Sequence, residues 1–115
     1  MWNRNESHEV REALFGGHHA VRVWNLPIAP CAPFTATLAC ELEPAGTVGV
    51  HVQQDEAELV HFLEGEGVVV VDGVPRSVLP GEVVALPVGS TLAIQNALLV
   101  QPLRYLVTKA RAPLG

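Results

Sequence analysis

The sequence predicts an all-β domain, a sandwich or barrel of short strands, and three observations carry that prediction. Ten Gly and nine Pro divide the 115 residues into short segments. Those segments are rich in Val, Leu and Thr, and Val and Thr in particular fit a pleated, half-buried surface. Turn signals recur every ~8–12 residues, the rhythm of sandwiches and barrels rather than of alternating strands and helices.

Taken in order, the opening is the least determined part. Residues 7–15 could form a short helix with Ser7 as N-cap, and 9–14 reads equally well as an edge strand. Strands are then expected at 19–24 and at Phe34–Leu42, the second closed by Pro44-Ala45-Gly46. Two more follow at 48–53 and 58–63, before the Glu64-Gly65-Glu66-Gly67 turn. Gly67–Val71 runs into Asp72-Gly73, a dipeptide that tolerates the positive φ of a type I′ hairpin turn. Strands at 76–79 and 82–86 flank Pro80-Gly81, and Pro87-Val88-Gly89 precedes Thr91–Asn96. The last strand is expected at 103–108, and no internal repeat or low-complexity segment interrupts the series.

Length fits one domain with one core. With 49% apolar and 17% charged residues the chain is too hydrophobic for disorder. Its net charge of −5, with only seven unclustered Lys and Arg, argues against nucleic acid or an anionic membrane as partner. No run approaches the ~20 apolar residues of a bilayer span. The start, Met1-Trp2-Asn3-Arg4-Asn5-Glu6-Ser7, lacks the apolar stretch of a signal peptide, so a soluble, cytoplasmic protein is expected. Cys31 and Cys40 have neither CxxC spacing nor a neighbouring histidine, and their apolar surroundings predict buried, inert thiols.

Strand alternation sorts the side chains into faces. His51 and Gln53 share one face; Glu58, Val60 and Phe62 share another, with Leu59, His61 and Leu63 opposite; Leu92, Ile94 and Asn96 also lie together. His61 is thereby expected outside, His18-His19 at a turn or strand start, and His8 in the polar arm. Asp55, Glu56, Glu64 and Glu66 read as solvated loop or turn residues, and Tyr105 shares parity with Leu103 and Val107 as a core neighbour.

Two spaced motifs resemble those of the cupin superfamily. In the first, Gly46, His51, Glu58 and Gly65 match the pattern Gly, His-x-His, Glu, Gly, with Gln53 at the second histidine position and the gap from Gly46 to His51 one residue shorter than usual. In the second, Gly81, Pro87, Gly89 and Asn96 fall at the family's offsets, with Leu92 at the histidine position. The resemblance runs from Phe34 to Val107 and implies a double-stranded β-helix, the jelly-roll β-barrel. It implies residues 1–33 as an arm with leading strands, 34–108 as the barrel and 109–115 as a tail. It further implies a homodimer formed by exchange of the arm, since an unpaired edge strand invites a partner.

In cupins the two motif-1 histidines, the glutamate and the motif-2 histidine hold a divalent metal. By that resemblance His51, Gln53 and Glu58 are the residual ligands for iron, nickel, manganese or zinc, and Leu92 removes the fourth. An amide is a weak donor for such ions and an alkyl chain is none, so metal binding is expected to be weak or absent. Without metal, His51, Gln53 and Glu58 would form a hydrogen-bonded polar cluster in an apolar barrel mouth. Val60, Phe62, Leu92 and Ile94 are the expected pocket walls. The leading reading is a module that binds a small molecule in the barrel. The alternatives are a metal-dependent dioxygenase or isomerase, and a metal-free sugar epimerase with His51 as base and Tyr105 as acid.

Overall fold

A computed structural model describes residues 2–112, and it is all-β apart from one short 3-10 turn. The strands are β1 (Glu9–Glu12), β2 (Ala20–Asn25), β3 (Phe34–Leu42), β4 (Thr47–Val52), β5 (Glu56–Glu64), β6 (Gly67–Val71), β7 (Val74–Val78), β8 (Val83–Leu86), β9 (Thr91–Asn96) and β10 (Leu103–Arg111). They form two antiparallel sheets, one ordered β1-β2-β3-β10-β5-β8 and the other β4-β9-β6-β7. This is the jelly roll expected from the sequence. Among the described residues, no helix is long and apolar enough to cross a membrane.

Differences from the expected segments have local causes. The Asp72-Gly73 turn has φ of 50° and 80° at its two central residues, so β7 begins at once and Val71 faces Val74. The ambiguous segment after Ser7 resolves into strand β1 and a 3-10 turn at Leu14–Gly16, not a helix. Strand β1 pairs with β2 of its own chain, Arg11 opposite Val21. Strand β10 continues past Thr108 to Arg111, with Lys109 opposite Ala36 on one side and Glu58 on the other. Lys109 therefore belongs to the sheet and not to a tail; residues 113–115 of that expected tail lie outside the described residues.

The inner faces carry the core: Val21, Leu42, Val60, Phe62, Leu86 and Leu103 from the larger sheet, Val48, Val69, Leu92 and Ile94 from the smaller. Asn96 staples the far end. Its Nδ2 places two hydrogens among the carbonyls of Leu42 (3.2 Å), Glu43 (3.1 Å) and Gln101 (2.8 Å), one of them shared, and its Oδ1 accepts from Leu98 N (2.9 Å).

The outer face of the larger sheet has its own cover. Trp24 and Glu41 alternate outward from the core yet are only 2% and 4% exposed, because the segment before β1 lies across them. Trp24 Nε1 donates to the Asn3 carbonyl (2.9 Å), and the His8 ring lies against the indole at 4.7 Å. Arg4 and Arg104 meet the Glu41 carboxylate at 3.2 and 3.4 Å, and the Arg104 guanidinium sits over Trp2. Two opposed guanidinium groups make burial of that carboxylate tolerable.

Candidate functional site

A cavity of about 640 Å³ opens between the two sheets. His51, Gln53, Glu58, Val60, Leu92 and Ile94 all line it, so the structure brings together residues that the two motifs place far apart in sequence. Phe62 does not line it. It lies deeper, fully buried, with its ring 5.7 Å from that of Tyr105, because the cavity closes before reaching that layer.

His51 reaches the cavity through a break in pairing. Val48 faces Ile94, yet His51 faces Leu92, so the register of β4 slips by one residue between them. Such a bulge turns Val48 and His51 to the same side although simple alternation would oppose them. Its Nδ1–H donates to the Gly49 carbonyl at 2.9 Å, which leaves Nε2 as the free acceptor of the neutral ring. The Phe15 ring covers one face of the imidazole, centroids 4.0 Å apart and planes at 13°.

Gln53 is pinned by its backbone: its N–H donates to Ser90 O (2.9 Å) and its carbonyl accepts from Gly89 N (2.6 Å). The side chain is 5% exposed, and its Nε2 is buried without a hydrogen-bond partner. Glu58 is partly buried, and burial raises its pKa above the ordinary carboxylate value, partly opposed by Lys109 and then His51. The expected hydrogen-bonded cluster does not form: among the described residues, His51 bonds to backbone and neither Gln53 nor Glu58 bonds to it.

Tyr105 is buried as expected and also forms part of the cavity wall; burial holds its hydroxyl well above its ordinary pKa, so it stays neutral. Cys40 lines the wall too, and burial pushes its thiol up to about 12, which makes it inert. Cys31 is exposed, contrary to the expectation of burial, because it sits at the start of a surface turn that brings it back to Phe34. His61 is exposed on the outer face.

Sequence reasoning missed Arg11, Leu14, Phe15 and Lys109, all of which line the cavity. Lys109 was within reach, since it continues the inward parity of Tyr105 and Val107 once β10 is extended. Phe15 carried no such signal: it sits in a turn of left-handed residues that only the tertiary structure defines.

The donor set does not fit a divalent metal. Leu92 stands directly across from His51, where a fourth ligand would stand, and Gln53 offers only an uncharged amide. The Glu58 carboxylate has the Lys109 ammonium beside it on the neighbouring strand. Among the described residues, no three His, Cys, Asp or Glu side chains are grouped to hold an ion. Two strong donors fall short of the three protein ligands that catalytic zinc and non-haem iron sites use.

The sequence from residue 38 to 109 matches a family model described as Cupin domain. Solved structures share the fold. A predicted oxalate decarboxylase from Thermotoga maritima superposes with a TM-score of 0.82 at 22% identity, over 92% of this chain and 93% of that one. A cupin 2 conserved barrel domain protein from Salinispora arenicola has a TM-score of 0.69 at 28% identity, over 80% and 76%. KdgF from Halomonas has 0.74 at 13% identity, over 96% and 92%. No curated protein matches significantly. With both motifs in register on a jelly roll and the family model spanning more than half of its length, this chain belongs to the cupin superfamily.

Proposed function

We propose that this cupin binds a small organic molecule inside its barrel without the help of a metal ion. The observation that carries the reading is Gln53: a buried amide nitrogen with no partner, set in the wall of a cavity of about 640 Å³. Unsatisfied buried donors are costly and rare, and a turn of the amide toward the cavity would let a ligand oxygen relieve this one. The volume lies in the ~300–1,000 Å³ range of small-molecule sites, and the walls combine apolar residues such as Val60, Leu92 and Ile94 with polar and charged ones, among them Arg11, His51, Gln53, Glu58 and Lys109.

One observation favours a second reading, a metal-free isomerase. The Gly49 carbonyl holds His51 with Nε2 unprotonated, the form a general base needs, and the neutral Tyr105 hydroxyl borders the same cavity as an acid. Turnover with proton exchange from solvent would establish that reading.

The binding reading is tested by thermal-shift screening of chelator-treated protein against small organic acids, amides and sugars. A ligand at a hundredfold its Kd adds about 2.7 kcal/mol of stability. Gln53→Leu should remain folded, since it removes an unpaired buried polar group, and should lose the response. A full panel without any response, or responses only after metal is restored, would overturn the proposal.

A further inference from the structure

Phe15 is an anomaly that packing does not explain. It adopts a left-handed backbone (φ 52°), as does Ala13 two residues before it (φ 47°). Bulky residues seldom occupy this region, and such outliers gather where the surrounding structure enforces them for a purpose. Phe15 is also 56% exposed and stands outside the core cluster, whereas its neighbour Leu14 packs against that cluster. Leu14 anchors the turn; Phe15 contributes nothing to the core. What it touches is His51, face to face at 4.0 Å.

The turn that presents this ring is locked against β4. Thr47 N donates to His18 O (2.9 Å), and His18 N meets both the carbonyl and the hydroxyl of Thr47. Ala13 N donates to His19 O (2.9 Å), closing the loop at its base. Two glycines let the backbones approach. A Cβ on Gly17 would lie 2.0 Å from Thr47 O, and one on Gly49 would lie 1.9 Å from Phe15 O. Gly49 is also the residue whose carbonyl receives the His51 Nδ1–H. The same close approach therefore sets both restraints on the imidazole: the aromatic face above it and the acceptor that fixes its proton.

We propose that Phe15 is a positioning residue, which together with the Gly49 carbonyl fixes His51 as a single Nδ1–H tautomer with Nε2 open to the cavity. This deepens the ligand-site reading by specifying what His51 offers: a hydrogen-bond acceptor. The ligand it serves presents a hydroxyl or another donor to that nitrogen. A preorganised acceptor loses less freedom on binding than one that must first settle its rotamer.

The test separates a positioning role from a structural one. Phe15→Gly removes the ring but suits the left-handed backbone, so it should fold with an undiminished thermal midpoint. Phe15→Leu retains apolar bulk without an aromatic face, and Phe15→Tyr retains the face. The readout is the tautomer of His51, from imidazole 15N shifts of the whole chain at a pH where the ring is neutral. We expect the Nδ1–H form to dominate in the parent and in Phe15→Tyr. In Phe15→Gly and Phe15→Leu the signals should move toward the mixture of free histidine, which favours Nε2–H. An unchanged tautomer in Phe15→Gly, or a Phe15→Gly protein that unfolds while Phe15→Leu keeps the parental tautomer, would overturn the proposal. Because this readout needs no ligand, a failed ligand screen would leave it standing, and its own failure would leave the cavity's binding role intact.

Discussion

Leu92→His restores the histidine that the second motif lacks, and the structure allows its effect to be worked through. Leu92 lies directly across from His51 on the adjacent strand and is 2% exposed, so a new imidazole there would face the same cavity. Burial of a leucine side chain contributes about 2 kcal/mol, and most of that is lost when a polar ring takes its place. At roughly 4 °C per kcal/mol for a domain of this size, the metal-free variant should melt about 8 °C below the parent. With zinc present, His51, the new histidine and Glu58 supply three protein ligands, the set that catalytic zinc sites use with water as the fourth. Zinc at a hundredfold its Kd would return about 2.7 kcal/mol and raise the midpoint to the parental value or above. Calorimetric titration with zinc and nickel, run alongside thermal unfolding, reads both effects. The parent should show no such gain, and His51→Ala in the variant background should abolish it. A folded Leu92→His protein that binds zinc no better than the parent would mean that residue 92 does not confront His51, and the pairing of β4 with β9 would be wrong.

Three further outcomes follow from the same structure. Burial raises the Glu58 pKa, so the folded state holds its proton more tightly than the unfolded chain; stability therefore falls as pH climbs from the unfolded value toward the folded one, and stays reduced above it. Glu58→Gln should accordingly be more stable than the parent at neutral pH, with the difference vanishing at low pH, as read by urea unfolding across that range. Glu41→Ala strands Arg104, 19% exposed, and releases Arg4, which should cost about 3 kcal/mol in denaturant unfolding; a loss under ~1 kcal/mol would show that the segment before β1 is not held through that carboxylate. Thiol labelling of the native protein should modify exposed Cys31 quickly and leave Cys40 untouched until the chain unfolds; equal rates would contradict the burial of Cys40.

The strands were legible because each is short, alternating and bounded by Gly or Pro, and β6–β7 was the clearest since Asp72-Gly73 dictates its own turn. His51, Gln53, Glu58 and Leu92 were legible through the motifs, which encode turns and inward parity together. What escaped depends on contacts between distant segments. The slip in β4 that brings Val48 and His51 to one side leaves no mark in local composition. The polar residues before β1 give no hint that they bury Trp24 and Glu41, because that burial rests on guanidinium partners from both ends of the chain. Phe15 reads as an exposed loop residue until the close approach at Gly49 is known.

The claim that the barrel works without a resident metal is tested most directly by elemental analysis of the protein purified without an affinity tag or chelator. Iron, nickel, manganese and zinc are expected far below one ion per chain, with no rise in thermal midpoint when any of them is added. A stoichiometric ion whose removal lowers that midpoint would contradict it, and His51, Gln53 and Glu58 would then have to be read as a working ligand set.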